Sequence, residues 1–102
     1  VENYQENYLE HYETSTPSNN TPVAMLFFAP WCPHCKSFMH EWDRVKHWAR
    51  DNNVVVETVN GDEEPEKCQA NNVGGFPTIH VKGREHHGER TAEAIIEAIK
   101  ID

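Results

Sequence analysis

The sequence predicts an α/β fold in which a mixed sheet of about four strands is flanked by helices. The run from Val23 to Phe28 is continuously apolar and is bounded by two prolines, which favours a strand buried on both faces. Val54 to Val59 is a second candidate for a buried strand. Apolar residues between the two runs recur three and four positions apart, which is the spacing of one helix face. This alternation of strands and helices is typical of a sheet covered on both sides.

The first 22 residues are predicted to form a helix and a loop ahead of the first strand. Tyr4, Tyr8, Leu9 and Tyr12 recur at helical spacing, so we expect an amphipathic helix that ends near Thr14. The stretch TSTPSNNTP follows it, and its prolines, serines and asparagines indicate a loop.

Two helices are predicted in the middle of the chain. The longer helix runs from His34 to about Asn52, and its apolar face consists of Cys35, Phe38, Met39, Trp42, Val45 and Ala49. The stretch EEPEKCQANN predicts a short helix opened by Pro65, because the first helical position does not need the N–H that proline lacks.

The last part of the chain predicts a hairpin and a closing helix. PTIHV and the stretch after Gly83 are the two short strands. The closing helix lies in TAEAIIEAIKI, with Thr91 as its N-cap and Ile95, Ile96 and Ile99 facing inward. At 102 residues the chain is long enough for one hydrophobic core, so we expect one domain over residues 1–102.

Charge and hydropathy exclude several classes of partner. The formal net charge of −8 and the nine Lys and Arg residues argue against nucleic acid and anionic membrane surfaces, which are bound through basic side chains. No apolar run approaches the roughly 18 residues of a membrane span. We expect a monomer.

The segment FFAPWCPHCK holds the candidate site. Cys32 falls where a buried strand ends and a helix begins, and the free N–H groups and dipole of a helix N-terminus stabilise a thiolate there. The thiolate is the form that attacks disulfides. Cys35 follows one helical turn later and is near enough to form a small ring with Cys32, so the spacing indicates a reversible redox pair.

The two residues between the cysteines have predicted roles as well. Pro33 suits the first helical turn and stiffens the ring. His34 can donate a hydrogen bond to the sulfur or carry a positive charge beside it, and stabilising the reduced form makes the protein a better oxidant. The alternative for His34 is an ordinary solvent-exposed helix residue.

Two other uses of the pair fit the sequence less well. A zinc site needs four ligands, but no second Cys-x-x-Cys is present, and the remaining candidates are Cys68, His80, His86 and His87. A structural disulfide would close so short a loop that its entropic gain would be small. We therefore predict no metal and no other cofactor. For Cys68 we expect a buried hydrophobic position in the short helix, with a redox or metal role as the alternative.

Two distant segments resemble the thioredoxin superfamily, and within it the catalytic domains of protein disulfide isomerases. FFAPWCPHCK is similar to their APWC-x-HCK signature, and NNVGGFPTI is similar to the segment that places a cis proline opposite the cysteines. HGERTAEAI is similar to the end of the same domains. The resemblance covers residues 23–102 and implies a compact thioredoxin-like fold with a redox core there.

The resemblance also implies roles for individual residues. Cys32 would be the attacking cysteine, Cys35 the resolving cysteine and Pro77 the cis proline. Phe76 would then offer its backbone to an extended substrate. Trp31 is similar to the exposed tryptophan that the family has beside its cysteines, with a partly buried core aromatic as the alternative.

Several positions depart from the family pattern. Leu26 stands where relatives have a buried carboxylate, and Thr58 stands where its lysine partner is expected. His40 replaces the proline that kinks the long helix. The stretch between Thr78 and Gly88 is short, and no first strand is evident ahead of the N-terminal helix. These departures predict a compact, four-stranded variant of the fold.

The sequence thus predicts an enzyme that forms, reduces or isomerises protein disulfides, with cysteine-containing proteins as substrates and a separate redox partner. The alternative is a module of the same fold that binds unfolded or partner chains without catalysis. The N-terminus lacks the pattern of a secretory signal, which fits a processed or a cytosolic chain, and the C-terminus is not a retention signal. The isomerase-like motif favours the endoplasmic reticulum lumen or secretory pathway over the cytosol.

Overall fold

A computed structural model describes residues 22–101 of the chain. Its elements are β1 (Ala24–Phe28), α1 (Pro33–Asp51), β2 (Val56–Asn60), α2 (Pro65–Ala70), β3 (Thr78–Val81), β4 (Arg84–Glu85) and α3 (Ala92–Lys100). The helix and loop predicted for the first 22 residues lie outside the described residues, except for Pro22.

The four strands of the described chain form one mixed sheet in the order β2-β1-β3-β4. β1 is parallel to β2 and antiparallel to β3, and β3 is antiparallel to β4. A two-residue turn joins β3 to β4, with Lys82 and Gly83 both at positive φ, which suits the twist of a tight hairpin. The predicted α/β class and the mixed four-stranded sheet are confirmed.

Helix α1 packs its apolar stripe on the sheet. All six residues predicted for this stripe are buried, and Trp42, Val45 and Cys35 have no exposed surface. The helix begins at Pro33, one residue earlier than predicted, because Pro33 occupies the first helical turn after the N-cap Cys32.

Helix α3 lies against α1 and β3. Its N-cap is Thr91, as predicted, and the Thr91 Oγ1 accepts a hydrogen bond from the Ala94 N–H at 3.1 Å. Ile95 and Ile99 are buried, whereas Ile96 is only half-buried at the edge of the core. The Ala92 N–H donates to Glu41 Oε1 of α1 at 2.8 Å, so the two helices are also joined by a polar contact.

The second strand starts two residues later than the sequence predicts. The Val54 N–H donates to the Ala49 carbonyl at 2.8 Å, so Val54 belongs to the turn that closes α1. Strand β2 begins at Val56 and extends to Asn60, whose side chain is buried. Within residues 22–101, no helix has the length and apolarity needed to cross a membrane.

Candidate redox site

Cys32 caps the N-terminus of α1 directly after the central strand β1. Its backbone is extended, and its Sγ accepts a hydrogen bond from the Cys35 N–H at 3.3 Å. Such a donor favours negative charge on the sulfur, as does the helix N-terminus. Two prolines place Cys32 at this junction, because Pro30 follows the end of the strand and Pro33 begins the helix.

The loop before β3 lies against the same sulfur. The Cys32 thiol is 3.5 Å from the carbonyl oxygen of Phe76, and the Phe76–Pro77 peptide bond is cis. Pro77 is buried, and the Phe76 side chain is half-buried. The structure therefore brings together Cys32, Cys35, Phe76 and Pro77, although the loop is more than forty residues from the cysteines in sequence.

Cys35 lies inside the core and has no exposed surface. Burial raises the pKa of its thiol to about 12, and the neighbouring Cys32 also raises this pKa. A hydrogen bond with the Ala29 backbone and the positive charge of Arg90 act in the opposite direction. All three cysteines are free thiols. At neutral pH Cys35 is therefore a protonated thiol, and it needs a proton acceptor before it can attack as a thiolate.

Trp31 extends into solvent beside the cysteine pair, with 62% of its surface exposed. Its indole Nε1–H donates to Asp62 Oδ1 at 3.2 Å, and its ring meets the Phe76 ring edge-on at 6.0 Å between centroids. The alternative of a partly buried core aromatic is therefore wrong.

Asp62 is a neighbour of the site that the sequence analysis did not identify. It lies in the loop after β2, and the Gly61 N–H of that loop donates to the Phe28 carbonyl at 2.7 Å. Because β1 and β2 are parallel, the residues that follow each strand meet at the same edge of the sheet. In the sequence, the acidic run after the second strand is the one feature that could have pointed to Asp62.

Pro33 and His34 are both exposed in the first turn of α1. Their positions next to Cys32 follow from the sequence, and the influence of His34 on the thiolate stays a prediction.

Two of the departures from the family pattern, Leu26 and Thr58, are neighbours in the sheet. Leu26 is fully buried in the same core as Cys35, and it lies opposite Thr58 in the pairing of β1 with β2. The Thr58 Oγ1 accepts a hydrogen bond from the Trp42 Nε1–H at 2.9 Å. The two positions therefore hold an apolar side chain and an internally bonded hydroxyl instead of an ion pair.

Cys68 is buried on the other face of the sheet, with Phe27 and Val59. Burial raises the pKa of its thiol, and the charges of Glu64 and Glu66 add to this increase. Its predicted core position is confirmed. Among residues 22–101, no three His, Cys, Asp or Glu side chains are grouped as metal ligands would be.

A dithiol at the start of a helix that follows the central strand, opposed by a cis proline, defines the class of thioredoxin-fold proteins. Residues 3–101 match the family model described as Thioredoxin. The chain belongs to the thioredoxin family.

Its relatives are protein disulfide-isomerases. The chain is 36% identical over 81 residues to the protein disulfide-isomerase of Humicola insolens, an alignment covering 74% of this chain and 16% of that protein. It is 35% identical over 91 residues to protein disulfide isomerase-like 1-4 of Arabidopsis thaliana, covering 85% and 15% respectively. The chain therefore corresponds to a small part of each of these relatives.

Solved structures of thioredoxin domains have the same fold. The first two thioredoxin domains of Naumovozyma dairenensis Eps1p match with a TM-score of 0.68 and 24% identity, covering 84% of this chain and 41% of that one. The first thioredoxin domain of mouse protein disulfide-isomerase A4 matches with a TM-score of 0.63 and 26% identity, covering 93% and 66%. The resemblance to this superfamily is confirmed.

Proposed function

We propose that this chain is a thiol–disulfide oxidoreductase that forms, reduces or isomerises protein disulfides through Cys32, Pro33, His34 and Cys35. One observation carries the proposal: the Cys32 sulfur accepts the Cys35 N–H at a helix N-terminus and lies 3.5 Å from the Phe76 carbonyl. A donated N–H at a helix N-terminus favours negative charge on a sulfur, and the Phe76 carbonyl belongs to a backbone to which an extended chain can pair. The relatedness to protein disulfide-isomerases supports the same activity.

The reaction needs only the two cysteines and a substrate disulfide. The Cys32 thiolate attacks one substrate sulfur, a Cys32–substrate disulfide forms, and the other substrate sulfur leaves with the electron pair and takes a proton. Cys35 then loses its proton and attacks the Cys32 sulfur. The substrate is released as a dithiol, and a Cys32–Cys35 disulfide remains. The reverse sequence oxidises a substrate dithiol.

The partners follow from this chemistry. Substrates are cysteine-containing proteins that present an extended segment to Phe76 and Trp31, and a separate redox partner resets the cysteine pair. Residues 1–102 act as one domain, as a monomer. We place the protein in the endoplasmic reticulum lumen or secretory pathway, because the relatives are protein disulfide-isomerases.

Insulin reduction and the reoxidation of a reduced test protein measure the proposed activity in both directions. We expect the wild-type chain to catalyse at least one of them and Cys32→Ser to catalyse neither. Cys35→Ser should accumulate mixed disulfides on a non-reducing gel, because the attacking sulfur remains and the resolving one is gone. Cys68→Ser is the matched control and should behave as wild type.

The exposure of Trp31 favours a second candidate function, a module that binds unfolded chains without catalysis. Such a module would hold a cysteine-free unfolded chain equally well in wild type and in Cys32→Ser, and it would leave the rate of insulin reduction at the uncatalysed level. Catalysis that depends on Cys32 rejects this candidate.

A further inference from the structure

The loop and helix start after β2 carry a group of carboxylates next to Trp31. This acidic segment is defined as residues 62–66 and contains Asp62, Glu63, Glu64 and Glu66. Glu64 pairs with Lys67 at 3.1 Å, and Lys67 also pairs with the buried Glu57 at 2.5 Å. Asp62, Glu63 and Glu66 are exposed and form no ion pair within residues 22–101.

Asp62 is held against the exposed indole that precedes Cys32. Its Oδ1 accepts the Trp31 Nε1–H, whereas its Oδ2 accepts no hydrogen bond from any residue that the structure describes. The indole ring is largely open to solvent. An aromatic face next to a carboxylate attracts a cation twice, through the ring quadrupole and through the ion pair.

The acidic segment is fixed on one side of the cysteine pair. The Gly61 N–H is bonded to Phe28 at the end of β1, and the Phe76 ring lies directly over the Gly61 backbone. The positive charge of Arg90 acts on Cys35 from the start of α3. Carboxylates therefore lie on the β2 side of the cysteine pair.

We propose that Asp62, together with the face of Trp31, selects substrate segments that carry a lysine or arginine next to the reacting cysteine. This inference rests on the proposed function and adds a substrate class to it. A cation flanking the substrate sulfur would lie over Trp31 and pair with Asp62 while Cys32 attacks. A carboxylate in the same place would be repelled by Asp62, and a neutral residue would be neither attracted nor repelled.

The test uses the full chain carrying Cys35→Ser, so that only one exchange step occurs. The probes are three peptides with the cores Lys-Cys-Lys, Ser-Cys-Ser and Glu-Cys-Glu, each joined through its cysteine to 5-thio-2-nitrobenzoate. Cys32 attacks the peptide sulfur, the Cys32–peptide disulfide forms, and the coloured thiolate leaves with the electron pair. We expect the lysine peptide to react about threefold faster than the glutamate peptide at low ionic strength, which is the size expected of exposed charge pairs.

Two variants assign this preference to Asp62. Asp62→Asn keeps an oxygen that accepts from Trp31 but has no charge, so the lysine-to-glutamate rate ratio should fall towards one. Both substitutions are made in the Cys35→Ser chain, which is the reference. Glu85→Gln removes a charge from β4, which the sheet register places beside the opposite end of β1, and it should keep the reference ratio. Addition of 0.5 M salt should reduce the reference ratio, because salt screens exposed charges.

The outcomes separate the two proposals. If the serine peptide reacts and all three peptides react equally, the charge preference is wrong and the oxidoreductase function stands. An Asp62→Asn ratio equal to that of the Cys35→Ser chain with Asp62 intact removes Asp62 from the selection. If no peptide reacts, the proposed function fails and the inference falls with it.

Discussion

At the scale of single residues, the three cysteines differ in environment more than in exposure. Cys32, Cys35 and Cys68 are 4%, 0% and 8% exposed. Only Cys32 lies at a helix N-terminus, where the Cys35 N–H also donates to its sulfur, whereas burial raises the pKa of both other thiols. Reactivity towards electrophiles should therefore follow the thiolate population rather than the exposed area.

We predict that a brief pulse of iodoacetamide at neutral pH alkylates Cys32 first. The reason is that the thiolate is the nucleophile, and Cys32 lies at a helix N-terminus, whereas burial raises the pKa of Cys35 and Cys68. Mass spectrometry of peptides from the quenched reaction measures the order of labelling. Earlier labelling of Cys68 than of Cys32 would show that access outweighs thiolate stability and that the assigned roles are wrong.

Leu26 should limit the rate at which Cys35 resolves a mixed disulfide. With a thiol pKa of about 12 and Leu26 where the family resemblance implies a carboxylate, Cys35 lacks that proton acceptor. We predict that release of a thiol from a Cys32 mixed disulfide is slow at neutral pH and accelerates as pH rises. Leu26→Glu should speed this release and lower the free energy of unfolding, since the new carboxyl is buried without a partner.

Stopped-flow measurement of thiol release between pH 6 and pH 9 tests this prediction. Leu26→Gln is the matched control, because it buries a polar group of similar size that cannot take a proton. Equal rates for Leu26→Glu and Leu26→Gln, both independent of pH, would mean that another group already accepts the proton of Cys35.

At the scale of elements, the hydroxyl of Thr91 sets the start of α3. It accepts the Ala94 N–H, one of the first backbone donors that have no partner inside the helix. We predict that Thr91→Ala lowers the free energy of unfolding by about 1 kcal/mol, whereas Thr91→Ser, which keeps the oxygen, changes it much less. Urea denaturation followed by circular dichroism measures both. Equal losses in the two variants would show that the Thr91 methyl group, not the cap, stabilises the helix.

The elements could be predicted because their signals are local. The stripe of α1 repeats every three or four residues, and the cap of α3 and the proline at the start of α2 each act within one helical turn. The start of β2 was predicted two residues too early, since valines favour a strand whether or not they have a strand partner, and Val54 bonds to the end of α1 instead. A hydrogen bond between different elements is not visible in a local pattern.

The site likewise combines residues with local sequence signals and a residue brought in by contacts between elements. Cys32 and Cys35 lie in one segment, and the cis bond at Pro77 was expected from the resemblance of a second segment. Asp62 could not be assigned to the site, because it meets Trp31 only through the parallel pairing of β1 with β2. Charge after a strand is common, and its proximity to a particular tryptophan is a tertiary property.

At the scale of the whole molecule, the core links the state of Cys35 to global stability. The Cys35 pKa rises from 9.0 to about 12 on folding, so the unfolded chain loses this proton first as pH increases. The unfolded state thus binds fewer protons than the folded state between these values, and stability falls with rising pH in that window. Below pH 9 both states keep the proton and the contribution is constant.

We predict that the dithiol form loses unfolding free energy above pH 9 more steeply than Cys35→Ala does. Urea titrations at pH 7, 9 and 10.5 on both proteins measure the two slopes. The raised pKa values of Lys67 and Cys68 act in the same direction in both proteins, so the difference between slopes reports the Cys35 thiol together with its interaction with Cys32. Parallel slopes would mean that the folded state accommodates the Cys35 thiolate.

The burial of Cys35 also protects the chemistry of the pair against damage. Peroxides oxidise thiolates in steps from sulfenic to sulfinic and sulfonic acids, and the later steps are not reversed by ordinary thiols. Cys35 offers neither a thiolate nor an exposed sulfur, so peroxide reaches Cys32 first. A sulfenic acid on Cys32 then has a thiol one helical turn away with which to condense, losing water and forming the Cys32–Cys35 disulfide. In the proposed exchange cycle a reductant converts that same disulfide back to the dithiol, so an oxidative injury at Cys32 ends as an ordinary intermediate.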